Sequence, residues 1–447
     1  MKIVVVGAGK VGYTLAQRLT QDGHDVIVVE KDEERRATVE HNLDVMTITG
    51  NGASLKILSE LDLADVAMMI AVTDSDEVNM IACVAAKQAG VPKVIARVRN
   101  MEYMETDCQT FGRVLGIDLI INPEMVTALE VSRILKTPAA LDVEDFAGGK
   151  VRMLEVKIRD NSKFSNVPIR QLDMPGNVLI AGILRKDKMI IPQGKDIIQA
   201  HDSVFFIGDK DAICGMEELF VETRSKVEKI LIVGAGRIGR HLTLMLENGG
   251  YTVKVIEKDR HRCEELAKIV DKTMIICGDG TDVELLTEEG IGDCDAVVCL
   301  TDDDKLNLLV CLLAKHFGAQ KTFARVGRPE YITLMEQVGV DVVFSPRLLT
   351  VGAILRLIRR GDLVSVTLFE GAKAEALELD VLHGSRLEGK RLRDIKFPSQ
   401  ALVGAVVRDQ QTFVPNGESI LRTGDRIIIF TLPETAEKVL HFIEGGE

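Results

Sequence analysis

Two short stretches hold residue types whose spacing could do chemistry: Gly7-Ala8-Gly9-Lys10-Val11-Gly12 and Gly234-Ala235-Gly236-Arg237-Ile238-Gly239. Each is a Gly-x-Gly-x-x-Gly loop that directly follows a β-branched run and opens a helix-length segment, the context in which such a loop cradles a pyrophosphate. The first glycine allows the tight turn out of the strand, the second lets backbone approach the phosphate without a Cβ clash, and the third lets helix and sheet pack closely. An anion on the helix N-terminus gains about 0.3 to 1 kcal/mol from unpaired N–H groups and the macrodipole. Lys10 and Arg237 add a full positive charge beside it. Glu30 and Glu257 end the next β-branched runs, 23 residues after the first glycine in both cases (30 − 7 and 257 − 234). A carboxylate there can accept both ribose hydroxyls of adenosine and repels a 2′-phosphate, so NAD(H), ATP, ADP and AMP fit and NADP does not. The plainer alternative, glycines shaping a turn and glutamates ending strands in solvent, has to explain the same arrangement twice.

Further candidates lie where the later strands end. Thr73-Asp74 and Thr301-Asp302 close the fourth runs, at the carboxyl edge where doubly wound sheets bind ligands; helix capping is an equally good use for them. Arg97 and Arg325 end the fifth runs and could stack on a base or contact phosphate, with a salt bridge to the neighbouring acidic loop as the competing role. Asn51 and Asp279, in the matched loops Gly50-Asn51-Gly52 and Gly278-Asp279-Gly280, complete the set. Asp302-Asp303-Asp304 lacks calcium-loop spacing, so no metal is expected. No His recurs at the repeat spacing, and the strand-rich segments hold no concentration of Ser, His, Asp or Cys readable as a triad. Nucleotide binding without adjacent chemistry points to a sensor rather than an enzyme. An NAD-dependent oxidoreductase of unknown substrate is the alternative.

The elements that must position these residues come in duplicate. Lys2 to Gly12 recurs as Lys229 to Gly239 at a spacing of 227, and Ala96-Arg97-Val98 returns as Ala324-Arg325-Val326. After a short deletion Pro192, Gly194 and Asp202 map to Pro415, Gly417 and Asp425 at a spacing of 223. Within each half, β-branched runs (Ile3 to Val6, Val26 to Val29, Val45 to Ile48, Val66 to Val72, Lys93 to Val98, Leu119 to Ile121) alternate with helix-length segments. That alternation predicts a parallel sheet with crossover helices. Beyond Gly148-Gly149 strands dominate: Met153 to Ile158, Val178 to Arg185, Met189 to Ile191 and Ser203 to Ile207. The expected fold is α/β: two tandem Rossmann-like doubly wound domains (1–123 and 229–346), each followed by a small α+β domain (143–222 and 366–447), with a polar linker near Glu222 to Glu228. In Glu124 to Lys136, the apolar residues Met125, Val126, Leu129, Val131, Ile134 and Leu135 spread round most of a helical wheel. Leu348, Leu349, Val351, Ile354, Leu355, Leu357 and Ile358 do the same in the second half. One sheet cannot bury a helix on all sides, so these segments are expected at a domain interface or sandwiched within their own domain.

Composition bounds the function further. Fifty-five Lys plus Arg against 68 Asp plus Glu, no Trp and 4% aromatics argue against a nucleic-acid binder, which needs a basic stripe and stacking rings. No run nears the 18 apolar residues of a membrane span, and the chain enters a strand at Lys2, with no room for a signal peptide, so a cytoplasmic location is expected. Eight scattered Cys without a C-x-x-C pair fit a reducing compartment.

Taken together, the paired fingerprints and the strand-rich companions with their Pro-x-Gly turns and Asp202-to-Ile207 and Asp425-to-Phe430 strands resemble tandem regulator-of-potassium-conductance (RCK) domains across essentially the whole chain. The resemblance implies that Gly7 to Val11, Glu30, Thr73, Asp74 and Arg97 hold one adenine nucleotide, and Gly234 to Ile238, Glu257, Thr301, Asp302 and Arg325 a second. It also implies a membrane-embedded potassium channel partner and a homotetramer whose eight domains form a gating ring on the cytoplasmic face of the membrane, opened or closed by nucleotide identity. The second half reads Asp279 and Asp282 where the first reads Asn51 and Ser54. The first half is therefore expected to discriminate ATP and the second to prefer a dinucleotide or diphosphate.

Overall fold

The computed structural model describes residues 1–103, 112, 114–136, 141–160, 162–186, 188–217, 227–358, 363–369 and 373–444. Most of the expected linker, residues 222 to 226, lies outside them.

In the first half the β-branched runs form β1 (Lys2–Val6), β2 (Asp25–Glu30), β3 (Met46–Thr49), β4 (Met68–Ala71), β5 (Lys93–Arg97) and β6 (Leu119–Ile121). They pair in parallel in the order β3-β2-β1-β4-β5-β6, the doubly wound arrangement. The fourth strand is shorter than the Val66-to-Val72 run and follows a 3-10 turn at Leu63–Asp65. Central strands read as continuous apolar runs because both faces are covered by helices: Ile3, Val4 and Val5 are fully buried.

The small unit begins earlier than the run-by-run reading implies. Strand β7 (Asp142–Phe146) precedes Gly148-Gly149, and it turns into β8 (Val151–Lys157) through those glycines at φ +66° and +88°. The glycines are thus the hairpin turn inside the unit and not its border. With β9 (Val178–Arg185), β10 (Lys188–Ile190) and β11 (Ser203–Asp209) the sheet order is β10-β9-β11-β8-β7.

The second half repeats both layouts. Strands β12 (Lys229–Val233), β13 (Thr252–Glu257), β14 (Met274–Cys277), β15 (Ala296–Cys299), β16 (Lys321–Arg325) and β17 (Val342–Phe344) lie in the order β14-β13-β12-β15-β16-β17. The small sheet comprises β18 (Leu363–Phe369), β19 (Ala374–Asp380), β20 (Ala401–Arg408), β21 (Gln411–Phe413) and β22 (Arg426–Thr431). The two small sheets share one core. Phe205 lies 5.7 Å from Phe369 and 5.6 Å from Phe430, centroid to centroid. Gly182 is seated so closely under Phe430 that a Cβ would come within 2.6 Å of the ring.

The two crossover helices, Pro123–Leu135 and Pro346–Ile358, follow the last strand of each large sheet and are exchanged between the halves. Ala128, Val131, Ile134 and Leu135 of the first join the core of the second sheet, with Ile230, Ile232, Leu242 and Leu246. Val351, Ile354 and Leu355 of the second join the core of the first sheet, with Ile3, Val5, Leu15 and Leu19. The two helices also pack against each other. This explains the broad apolar wheels, since each helix meets a foreign sheet on one side and its twin on another. Leu129 is the exception: it stays 55% exposed. The Leu357 and Ile358 side chains lie outside the described residues.

Ile354 is fully buried against the other half's glycine-loop helix. Ile354→Ala is therefore expected to cost about 2 to 5 kcal/mol. Hydrogen exchange should show the loss of protection in helix Lys10–Gln21 of the first half, hundreds of residues away in sequence.

Candidate functional site

Both glycine loops sit at the carboxyl edge of their sheets, at the switch point between β1 and β4 or β12 and β15. Gly7 and Gly234 have φ +100° and +107°, where only glycine is unstrained. A Cβ on Gly12 would stand 1.8 Å from the Gly7 carbonyl oxygen, and one on Gly239 2.1 Å from that of Gly234. The first and third glycines are thus demanded by the fold. The second is different. Gly9 and Gly236, the N-caps of helices Lys10–Gln21 and Arg237–Asn248, have φ −64°, a value open to every residue. A Cβ on Gly9 would meet only a guanidinium nitrogen of Arg35 at 3.9 Å, and one on Gly236 nothing within 4 Å. Packing gives no reason for glycine there; glycine suits the N-cap position, and without a Cβ the backbone is open to solvent on that side.

The carboxylates expected beside the loops are present and already hydrogen bonded. Glu30 Oε2 accepts from the Ala8 N–H at 2.5 Å and Oε1 from the Asp32 N–H at 3.0 Å. Glu257 repeats this with Ala235 at 2.7 Å and Asp259 at 2.9 Å. Both glutamates are 5% exposed. Besides facing the edge where a ribose would lie, each carboxylate pins the middle of its glycine loop, a role that the spacing alone did not reveal.

At the ends of β4 and β15 the capping alternative moves to neighbouring residues. Ser75 and Asp303 are the N-caps, accepting from Val78 N and from Lys305 and Leu306 N. Thr73 and Thr301 are instead held by two asparagines that sequence reasoning missed. Asn79 is fully buried; its Oδ1 accepts from the Thr73 N–H and hydroxyl, and its Nδ2 donates to the Thr73 and Arg97 carbonyls. Asn307 makes the same four bonds to Thr301 and Arg325. Both lie six residues after their threonine, so the repeat itself carried the signal. Every polar valence of the amide is used, which locks the ends of β4 and β5 together beside the loop.

Asp74 and Asp302 are left pointing to solvent beside cations. Asp74 lies between Arg97 at 3.8 Å and Arg35 at 4.0 Å. Asp302 lies 2.5 Å from Arg325, which, joined by Arg262 and Arg99, holds its carboxyl below the ordinary range. Burial pushes the Arg97 guanidinium down. The salt-bridge role considered for the arginines is thus present, while their position at the sheet edge keeps them beside the loop. Arg35 and Arg262 are a second missed pair, at the repeat spacing of 227 (262 − 35).

The remaining predicted residues shape the rim. Asn51 accepts from Ala53 N, and Asp279 from the Thr281 N–H and hydroxyl, which holds the Asp279 carboxyl low. Ala8, Ala235 and Ile238 are buried, and Val11 is partly buried on the first sheet. Lys10 is exposed, and Arg237 is largely exposed, 3.8 Å from Glu124 of the first half. Among the described residues no cluster of His, Cys, Asp or Glu is placed to hold a metal ion, and no helix is long and apolar enough to cross a membrane.

A doubly wound sheet with a fingerprint loop, a small α+β companion and a second copy of both defines a protein of the tandem RCK class. The known proteins agree with it and narrow it. Residues 3–123 and 230–346 match the TrkA-N domain, and 153–221 and 376–444 the TrkA-C domain. The chain belongs to the TrkA family of potassium-uptake proteins. It is 39% identical over 447 residues to the Trk system potassium uptake protein TrkA homolog 1 of Methanosarcina mazei, covering 98% of this chain and 99% of that one. To the Trk system potassium uptake protein TrkA of Halomonas elongata it is 35% identical, over 97% and 96% of the two chains. Among solved structures, the GsuK channel superimposes with a TM-score of 0.65 at 18% identity, over 99% of this chain and 78% of that one. The GsuK RCK domain does so with 0.63, over 99% and 95%.

The glycines separate by mechanism. Gly12→Ala is expected to unfold or severely destabilise the first large domain, while Gly9→Val and Gly236→Val should melt close to the unmodified chain. Thermal unfolding followed by circular dichroism checks both; equal losses at all positions would show that the second glycine is also structural.

Proposed function

We propose that this chain is the nucleotide-sensing regulatory subunit of a potassium-uptake system and that each glycine loop holds the phosphates of an adenine nucleotide, NAD(H), ATP or ADP. The observation that carries this is the second glycine of each loop, kept free of a side chain where the fold has no need of it. In each site the phosphates rest on the N–H groups opening helix Lys10–Gln21 or Arg237–Asn248, near Lys10 or Arg237. Glu30 or Glu257 faces the ribose. Thr73, Asp74 and Arg97, or Thr301, Asp302 and Arg325, close the far side, with Asn51 or Asp279 on the rim. Solved structures of GsuK bound to NAD and to ADP, with TM-scores of 0.64 and 0.51, support the ligand class.

The chain does no chemistry of its own in this reading. Its partner is an integral-membrane potassium channel subunit of the TrkH or TrkG kind, met at the cytoplasmic face of the membrane, and four chains supply an eight-domain ring. Gating needs only that a nucleotide bind one ring geometry more tightly than another, with couplings typically of about 1 to 3 kcal/mol. The exchanged crossover helices give such a difference a path, because a movement of either glycine-loop helix pushes on a helix belonging to the other half.

Binding at 100 times Kd is expected to stabilise the chain by about 2.7 kcal/mol. A thermal-shift titration with ATP, ADP, NAD and NADH reads this, and no shift with any of them would sink the proposal. Glu30→Gln should weaken adenine-nucleotide binding and, since one loop hydrogen bond is altered, cost about 1 kcal/mol of stability. Calorimetric titration and melting separate the two effects.

A further inference from the structure

The two crossover helices begin alike, Asn122-Pro123-Glu124 and Ser345-Pro346-Arg347, each after the last strand of its sheet. Their second helical residues carry opposite charge. Because the helices are exchanged, each of these residues reaches the glycine-loop helix of the other half. Glu124 Oε1 lies 3.8 Å from Arg237 Nη1, the cation at the opening of the second loop's helix. Arg347 Nε donates to the Thr14 hydroxyl at 2.6 Å, which itself donates to the Lys10 carbonyl at 2.9 Å. The helix behind the second loop thus meets a foreign carboxylate at its first residue, and the helix behind the first loop a foreign guanidinium one turn in.

Glu124 is only 6% exposed, and its two oxygens are unequally used. Oε1 accepts from Arg99 Nε at 2.8 Å, while Oε2 is buried without a hydrogen-bond partner. Arg99 and Arg237 line one cleft of about 220 Å³ together with Asp74, Asp76, Glu77 and Asn100, so the strand-end loop of the first site and the glycine loop of the second open onto the same space. The acidic residues that distinguish the second half in sequence are committed elsewhere: Asp279 braces its own turn and Asp282 caps helix Val283–Glu288. Glu124 and Arg347 add to these carboxylates a second charge difference, one supplied to each seat by the opposite half.

We propose that Glu124 and Arg347 are specificity-determining residues acting across the halves: Glu124 occupies Arg237 and Arg99 as an internal counter-anion and disfavours an added terminal phosphate in the second seat, whereas Arg347 favours it in the first. This rests on the nucleotide reading above and assigns it a residue pair. In the second seat a terminal phosphate competes with a buried carboxylate for the same guanidinium groups; in the first it finds added positive charge and no such competitor.

The test uses the full chain with one seat silenced, by Gly9→Val or Gly236→Val, and compares ATP with ADP by calorimetric titration, since the two differ by one phosphate. With only the second seat live, Glu124→Gln is expected to shift preference toward ATP by about tenfold, within the usual span of coupled sites. With only the first seat live, Arg347→Gln, which removes one part-buried hydrogen bond, should shift preference toward ADP by a similar factor, and Glu124→Gln should leave the ratio unchanged. Equal changes for ATP and ADP, or no change, would overturn the assignment and leave both residues as docking contacts. Should Glu124→Gln melt early, the Arg347→Gln ratio decides alone. A chain that binds no nucleotide in any form would instead defeat the underlying reading.

Discussion

The exchange of the crossover helices is the constraint on which the rest of the molecule depends. A helix with apolar residues round most of its circumference cannot be satisfied by one sheet, and each half solves this by lending its helix to the other. Ala128, Val131 and Leu135 are buried by a sheet that begins about 100 residues later, and Ile354 and Leu355 by the sheet at the chain's start. The large domains are consequently held face to face through the very helices that follow their glycine loops. Any ligand that shifts one of those helices acts on an interface. The shared core of the two small sheets, centred on Phe205, Phe369 and Phe430, closes the arrangement at the other end.

Within each site, rigidity comes from buried polar side chains hydrogen bonded to backbone. Glu30 and Glu257 satisfy loop N–H groups; Asn79 and Asn307 tie the ends of neighbouring strands. An unsatisfied group in either place would cost about 1 to 3 kcal/mol, so these contacts hold the loop, the acidic strand end and the arginine strand end in one fixed relation. Lys10, Arg237, Asp74 and Asp302 are exposed and stand where a ligand could reorganise them cheaply.

Local pattern made much of this legible. Alternation of β-branched runs with helix-length segments is set by burial on both sheet faces, and the spacing of Gly7, Gly9, Gly12 and Glu30 reflects one turn and one crossover, so both survive translation from sequence to structure. What escaped were contacts whose partners are distant or whose chemistry is ambiguous. A polar residue such as Asn79 reads as solvated until the strand ends that enclose it are assembled. Thr73 and Asp74 fitted capping and ligand contact equally well because capping residues and strand-end residues draw on the same side chains, and the cap is Ser75.

The sequence by itself determined the duplicated α/β plan, the two phosphate-type loops with their acidic strand ends, and the presence of two helices too broadly apolar for one sheet to bury, since each is written in residues near one another along the chain. Only the tertiary structure decided where those helices go, and so which half faces which. Glu124 beside Arg237 and Arg347 beside Thr14 are separated by 113 and 333 positions (237 − 124 and 347 − 14), and no periodicity links residues that far apart. Their meeting follows from the packing of apolar helix faces, which brings charges into contact that neither half could bring together alone.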